Sequence, residues 1–361
     1  MTNKKEVRGF WAHIHPPFVT KHALRFRSTY GLGALLVALF IILAGTGALL
    51  AFAYEPRFRS AWDSVWEIAN VYPYGGLART IHYLAGNLFV IACVFHLLRV
   101  ISAGAYLGER YRNYLYGLVL LAGAFTALAT GYFLPMSEVS YWALVVGTNF
   151  LEYLPFIGKL AKHLALGGHE VGDATMIRLY VLHLALLPIL LVGFVSLHLW
   201  RIRKDQGLLK PEGIAPAELE KTPFTSAVVR ERTVFLLAAL LLLLWGMACP
   251  LPMTPRAIPA LPPNPVKAAW FFLATQETLS YSIFWGGIAP LFGTALFFLW
   301  TPRLVGDAAG SPIPWRRKAF FGMTVMILIT YALLTVVGVY CRGPNWSFVS
   351  PWRNIVKGAK K

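Results

Sequence analysis

Acidic residues are scarce in this 361-residue chain: 16 Asp and Glu stand against 33 Lys and Arg, a formal net charge of +17. Cysteine is scarcer, with three well-separated residues, Cys93, Cys249 and Cys341. No C-x-x-C-H occurs, which excludes covalent haem attachment through that motif, and scattered thiols support neither a disulfide framework nor an iron–sulfur cluster. No repeat of 20–50 residues is present, which excludes a solenoid. The opening segment "KKEVRGFWAHIHPPFVTKHALRFR" lacks the short apolar core and small-residue cleavage site of a secretory signal. Its basic and aromatic character predicts that it lies on the inner membrane surface.

Apolar residues are abundant: 57% of the chain is hydrophobic and the mean hydropathy is +0.58, against roughly 45–50% apolar in soluble domains. Seven runs approach the roughly 20 residues that cross a bilayer: 30–54, 77–98, 115–134, 179–200, 233–249, 279–300 and 319–341. The expected fold is therefore all-α and polytopic. The positive charge is that of membrane-protein loops rather than of a nucleic-acid binder. With the N-terminus inside, the inner side holds 20 Lys/Arg and the outer side 13, which predicts N-in, C-out. The expected division is an inner-surface segment 1–29, a four-helix part 30–200, an inner linker 201–232, a three-helix part 233–341 and an outer tail 342–361.

The second and fourth runs carry histidines in pairs. His82 and His96 are 14 residues apart, and His183 and His198 are 15 apart. Each pair returns near one helix face with an axial separation of about 21–22 Å. Pro188, between His183 and His198, can kink the helix and adjust its register. Two runs separated by one other run in the same direction. His82 and His183 then share the outer level, and His96 and His198 the inner level. A histidine facing a histidine at two depths is the arrangement of axial ligands for two stacked haems. Zinc fits less well, because it needs further N, O or S ligands converging at each level.

Arg79 and Arg99 stand one turn beyond the ligands of the second run, where each can pair with a haem propionate while its stem stays in the apolar zone. Gly33 and Gly47 are 14 apart in the first run, and Gly117 and Gly131 are 14 apart in the third. A flat macrocycle among four helices needs close approach from the helices that do not ligate it, which glycine allows.

At these residues the chain resembles cytochrome b of the Rieske/cytochrome b quinol oxidoreductases, over roughly residues 22–300. The resemblance rests on the four histidines, the four glycines, "ARTIHYLAGNLF", "GYFLP" and "GGHEVGDATMIRLYVLH". The 15-residue spacing and the following "HLWRIRKDQG" resemble the photosynthetic branch. There the four-helix and three-helix parts are separate subunits; here they look fused. The resemblance implies two non-covalent b haems and a quinone site near each surface, with quinol oxidised at the outer one. As partners it implies quinone, a Rieske iron–sulfur protein or a substitute redox subunit, a c-type cytochrome, and a homodimer within a larger complex in a bacterial-type cytoplasmic membrane.

Two departures affect the outer site. The family's Pro-Glu-Trp-Tyr reads Ala268, Ala269, Trp270, Phe271, so its proton-accepting glutamate is absent. The family's Pro-Trp-Gly-Gln reads "PMSE", which puts Glu138 on the other wall of the same site. Glu138 is the first candidate for the proton role and Glu277 the second. A third departure concerns the inner side. Gly31 stands where the photosynthetic branch has the cysteine that tethers an extra haem, so no tethered haem is expected. Candidates for the inner quinone are Arg203, His22, Arg25 and Glu231. Two alternatives remain open: a non-bifurcating electron wire with an inactive outer site, and a membrane transporter using the histidines as a proton relay.

Overall fold

The computed structural model describes residues 17–205, 219–306 and 313–351. Parts of the expected N-terminal segment, linker and C-terminal tail (1–16, 206–218 and 352–361) lie outside the described residues, as do 307–312. The main helices in chain order are α1 Leu32–Ala51, α2 Ala61–Asn70, α3 Gly75–Ser102, α4 Tyr111–Phe133, α5 Glu138–Leu151, α6 Gly158–Leu166, α7 Asp173–Lys204, α8 Thr225–Ala248, α9 Trp270–Leu279, α10 Phe284–Val305 and α11 Pro314–Tyr340. Among the described residues one short antiparallel strand pair, β1 (Phe18–Thr20) with β2 (Lys221–Pro223), accompanies the helices. Lys21 and Glu220 close its end with a 2.7 Å ion pair.

Among the described residues six helices are long and apolar enough to cross a membrane: α1, α3, α4, α7, α10 and α11. The expected seventh span, 233–249, is the C-terminal two-thirds of α8. Arg230, Glu231 and Arg232 precede it, which leaves 16 uncharged residues, 233–248, short of the roughly 20 that span alone. Its small residues make up the difference in packing. Ala238, Leu242 and Gly246 recur every four residues on one buried stripe. A Cβ on Gly246 would come within 3.1 Å of Leu77 and 3.2 Å of Ile81, so glycine lets α8 close on α3. Leu242 joins Leu39, Ala85 and Ala92 in one buried cluster between α8, α1 and α3.

The helices are apolar all round, as lipid-facing helices are: Leu236, Leu240 and Leu244 of α8 and Ile189 and Val192 of α7 are exposed. Two further buried clusters lie at opposite ends of the bundle. One gathers Phe133, Met136, Leu144, Met176 and Leu179. The other gathers Ile101, Tyr106, Tyr114, Val305 and Phe320. The long loop 135–177 folds into α5, α6 and the start of α7, and so presents a structured cap rather than a free chain. The proline-rich stretch ahead of α9 forms no helix, because proline removes the donors a helix needs. Its free carbonyls are used instead: Arg79 donates to Leu251 and Pro252, and the Glu138 amide donates to Pro255.

Among the described residues two helices contain a π turn, Leu182–Leu186 in α7 and Phe284–Ile288 in α10. Each is followed, two residues on, by a proline, Pro188 and Pro290. In α7 the Leu187 amide reaches back five residues to the Leu182 carbonyl.

Candidate functional site

α3 and α7 bring the four histidines together at two levels. The His82 and His183 rings lie 6.2 Å apart between centroids with their planes at 74°. The His96 and His198 rings lie 6.3 Å apart, also at 74°. The π turn explains how spacings of 14 and 15 residues produce the same geometry. One residue more per turn is absorbed beside His183, so the remainder of α7 keeps its face toward α3.

The ring separation would fit a metal shared by each pair. Two bonds of roughly 2 Å, plus the distance from each ring centre to its nitrogen, sum to about 6 Å. Direct imidazole hydrogen bonding does not account for it: among the described residues no group bonds the Nε2 of any of the four rings. Nδ1 is engaged at three. Thr46 Oγ1 lies 3.0 Å from His82 Nδ1, Thr130 Oγ1 lies 3.1 Å from His183 Nδ1, and His198 Nδ1 donates to the Asn113 carbonyl at 3.2 Å. An Nδ1–H so engaged leaves Nε2 as the lone-pair donor toward the space between the rings. No described cluster of three or more His, Cys, Asp or Glu is present, so a two-histidine axial set fits and a tetrahedral protein cage does not.

The glycines lie against the same rings. A Cβ on Gly47 would approach His82 Cε1 to 3.1 Å, one on Gly131 would approach His183 Cε1 to 2.7 Å, and one on Gly117 would approach His198 Cε1 to 3.7 Å. The space beside Gly33 is open. A flat macrocycle spreading from the ring pairs would need these helices bare at these points. Gly131→Ala is therefore expected to displace His183 and to lower occupancy of the outer pair at least tenfold, while Gly33→Ala meets no protein atom. Haem per chain, measured on the two purified variants, checks the contrast.

The arginines have other duties in the structure. Arg79 holds the Leu251 and Pro252 carbonyls at 2.9 and 3.2 Å. Arg99 donates to the Ser28 carbonyl and Ser102 hydroxyl and covers the Tyr30 ring at 4.9 Å. Both tie a surface segment to the ends of α3, and pairing with a propionate has to be shared with those bonds.

At the inner candidates, β1 and β2 bring the N-terminal segment beside the start of α8. Arg203, in the last turn of α7, lies over the Phe224 ring at 4.8 Å and keeps NH1 buried without a partner. His22 Nε2 is likewise buried and unpartnered. Arg230, which the motifs do not single out, donates to the Leu24 carbonyl at 3.1 Å and leaves Nε buried and unpartnered. Arg25 and Glu231 are exposed.

The two outer acids differ. Glu138 opens α5, is half-buried, and its carboxylate accepts no hydrogen bond among the described residues. It lines a cavity of about 410 Å³ with Val139, Pro263, Val266, Lys267 and Arg342. Glu277 is 1% exposed and fully engaged. Arg342 binds both of its oxygens, Tyr281 donates to Oε1 at 3.1 Å and Trp346 to Oε2 at 3.0 Å. Burial pushes the Glu277 carboxyl up, but the bonds from Arg342, Tyr281 and Trp346 outweigh it and hold the group below the usual carboxylate range. An acid so committed is a poor proton acceptor. Between the two walls, Phe133 stacks on Phe272 at 5.9 Å, and Trp270 donates to Asn87 at 2.6 Å.

Comparison with known proteins adds three findings. The family model described as Cytochrome b/b6/petB matches residues 19–206. The cytochrome b6 of Heliobacterium modesticaldum is 37% identical over 197 residues, 55% of this chain and 90% of that protein. The cytochrome b6 of Synechococcus elongatus is 33% identical over 206 residues, 57% of this chain and 94% of that protein. A solved structure titled "Hyperthermophilic respiratory Complex III" superposes with a TM-score of 0.75 at 23% identity, covering 99% of this chain and 93% of that one. That likeness extends the common fold through α8 to α11.

Proposed function

The chain belongs to the cytochrome b/b6 family, and from that premise we propose that it is the dihaem membrane subunit of a quinone-linked electron-transfer complex. The observation that carries the proposal is the pair of histidine pairs, equal in ring separation and angle, at two levels of α3 and α7. His82 and His183 hold one b haem near the outer surface, and His96 and His198 hold the second near the inner surface. When bound, each haem supplies a one-electron iron centre. The protein supplies the ligands, the roughly 21 Å step between levels and apolar walls that keep water out. Gly33, Gly47, Gly117 and Gly131 leave room for the macrocycles, and Arg79 and Arg99 neutralise propionates. Gly31 has no thiol, which is the ground for expecting no tethered haem.

The unit 30–200 is assigned to the haem-binding part and 233–341 to a subunit-IV-like part. With α8 counted as a seventh crossing, the Lys/Arg asymmetry supports an N-terminus inside and a C-terminus outside, in a bacterial-type cytoplasmic membrane. At the inner surface His22, Arg203 and Arg230 offer buried nitrogens to a quinone oxygen, with Arg25 and Glu231 at the rim. At the outer surface Glu138 takes the quinol proton in place of the glutamate missing at Ala269. Glu138→Gln is then expected to slow quinol oxidation by about a hundredfold or more while both haem spectra persist. Unchanged turnover removes Glu138 from the role.

The absence of a carboxylate from Ala268 to Phe271 favours a second reading, a non-bifurcating wire. In it a redox partner feeds the outer haem and the inner surface exchanges electrons with quinone. Gentle purification of the native complex, followed by subunit mass spectrometry and haem spectra, separates the two. A co-purifying Rieske protein supports quinol oxidation. c-type cytochrome or iron–sulfur subunits without it support the wire. A haem-free preparation from haem-replete cells overturns both.

A further inference from the structure

The two histidine pairs are held unequally. At the outer pair a Thr-Gly dipeptide recurs on each helix that does not ligate, Thr46-Gly47 on α1 and Thr130-Gly131 on α4. In each the glycine lets the ring approach, as the short Cβ distances to His82 and His183 show. The threonine then meets the ring's far nitrogen at 3.0 and 3.1 Å. Both hydroxyls spend their own proton on a carbonyl one turn back, Thr46 on Ile42 at 2.7 Å and Thr130 on Thr126 at 2.8 Å. Each oxygen is therefore left to accept, and Nδ1–H is the donor. At the inner pair the corresponding glycines follow Leu32 and Tyr116, which present no such hydroxyl. There His198 Nδ1 reaches only a backbone carbonyl at 3.2 Å, and His96 Nδ1 is buried with no partner.

We propose that Thr46 and Thr130 are positioning residues that fix the tautomer of the outer ligands and strengthen them as electron donors, so that they lower the reduction potential of the outer haem selectively. The proposal rests on the two-haem reading. The chemistry is that of outer-shell support: an N–H donated to an oxygen adds negative character to the imidazole, and a more basic ligand favours the oxidised metal. The outer haem receives this from both sides and the inner haem from one.

The test is a redox titration of the purified native complex carrying Thr46→Val, Thr130→Val or both, with the outer haem identified as the component lost in His82→Ala. Valine keeps the shape and removes the hydroxyl acceptor, leaving only the backbone carbonyls of Leu43 and Ala127 beside His82 and His183. The expected result is an upward shift of the outer midpoint by about a tenfold change in the reduction equilibrium, about 59 mV for a one-electron couple, with the inner midpoint unmoved. Thr→Ser at the same positions restores the wild-type value. Unmoved midpoints with both haems retained overturn the proposal. If the valine variants lose the outer haem, the serine variants decide. Retention at the wild-type potential assigns the effect to the hydroxyl and supports the proposal. Loss with serine assigns it to packing and overturns it. A wild-type complex without b haem overturns the functional reading itself, a separately visible outcome.

Discussion

Replacing His82 by alanine is expected to halve the low-spin b haem per chain and to leave the remaining haem with its wild-type spectrum. The selectivity follows from depth. His82 and His183 are about 21 Å from His96 and His198 along the helices, and the ends of the bundle are packed by separate clusters around Phe133 and Tyr106. Removing one ring opens a cavity at one level only, leaving His183 still held by Thr130. Haem per chain by pyridine haemochromogen, with low-temperature spectra of the purified complex, measures the effect. His96→Ala should remove the other component. A proton-relay transporter predicts the opposite: no haem in the wild-type protein and a change in transport alone. Loss of both haems together from His82→Ala would mean that the levels are not independent and would count against two separate sites.

Arg342→Ala is expected to destabilise the protein by about 3–5 kcal/mol, the range for removing one partner of a buried ion pair. Glu277 is 1% exposed and the Arg342 side chain 10% exposed. Without Arg342 the carboxylate keeps only Tyr281 and Trp346, and it has to protonate or drag water inside. The tail also loses its anchor, because Arg342 donates to the Trp346 carbonyl and pairs with Phe348. Replacing both partners with apolar side chains, Arg342→Met with Glu277→Leu, should recover most of the loss. The pH dependence has a definite sign. Glu277 is held below the ordinary carboxylate range by its bonds, so its contribution is complete above that range. It is lost as pH falls through the lowered value. The stability gap between wild type and Arg342→Ala should therefore close in acid, below about pH 4. Denaturant unfolding of the detergent-solubilised complex at neutral and acid pH checks both points. A gap that is absent at neutral pH would remove the ion pair from the stability of the tail.

What the chain discloses in one dimension depends on how far apart the cooperating residues lie. The four histidines are legible because their spacing is a property of single helices, and span parity alone matches their levels. The spans are legible because lipid asks only for length and apolarity. α8 is less legible, since its apolar run is short and its buried stripe of Ala238, Leu242 and Gly246 is visible only against α3. The Glu277–Arg342 pair joins residues 65 apart, and nothing local marks an acid and a base as each other's partner. In sequence Glu277 therefore looks like an uncommitted carboxylate. Thr46 and Thr130 do carry a local signal: both ring-facing outer glycines follow a threonine. β1 and β2 are three residues each, too short for any alternation to register, yet they bring the N-terminal segment beside α8.

The π turn at Leu182–Leu186 also sets how much change in length α7 can absorb. An added residue wound into regular helix would rotate everything after it by about 100° and advance it 1.5 Å. His198 would then point away from His96. Taken up beside Pro188, the surplus is confined to one turn, and the rest of the helix inherits an unchanged face. Spacings of fourteen and fifteen residues between ring pairs are therefore interchangeable in this bundle, since the extra residue does not turn His198 away from His96.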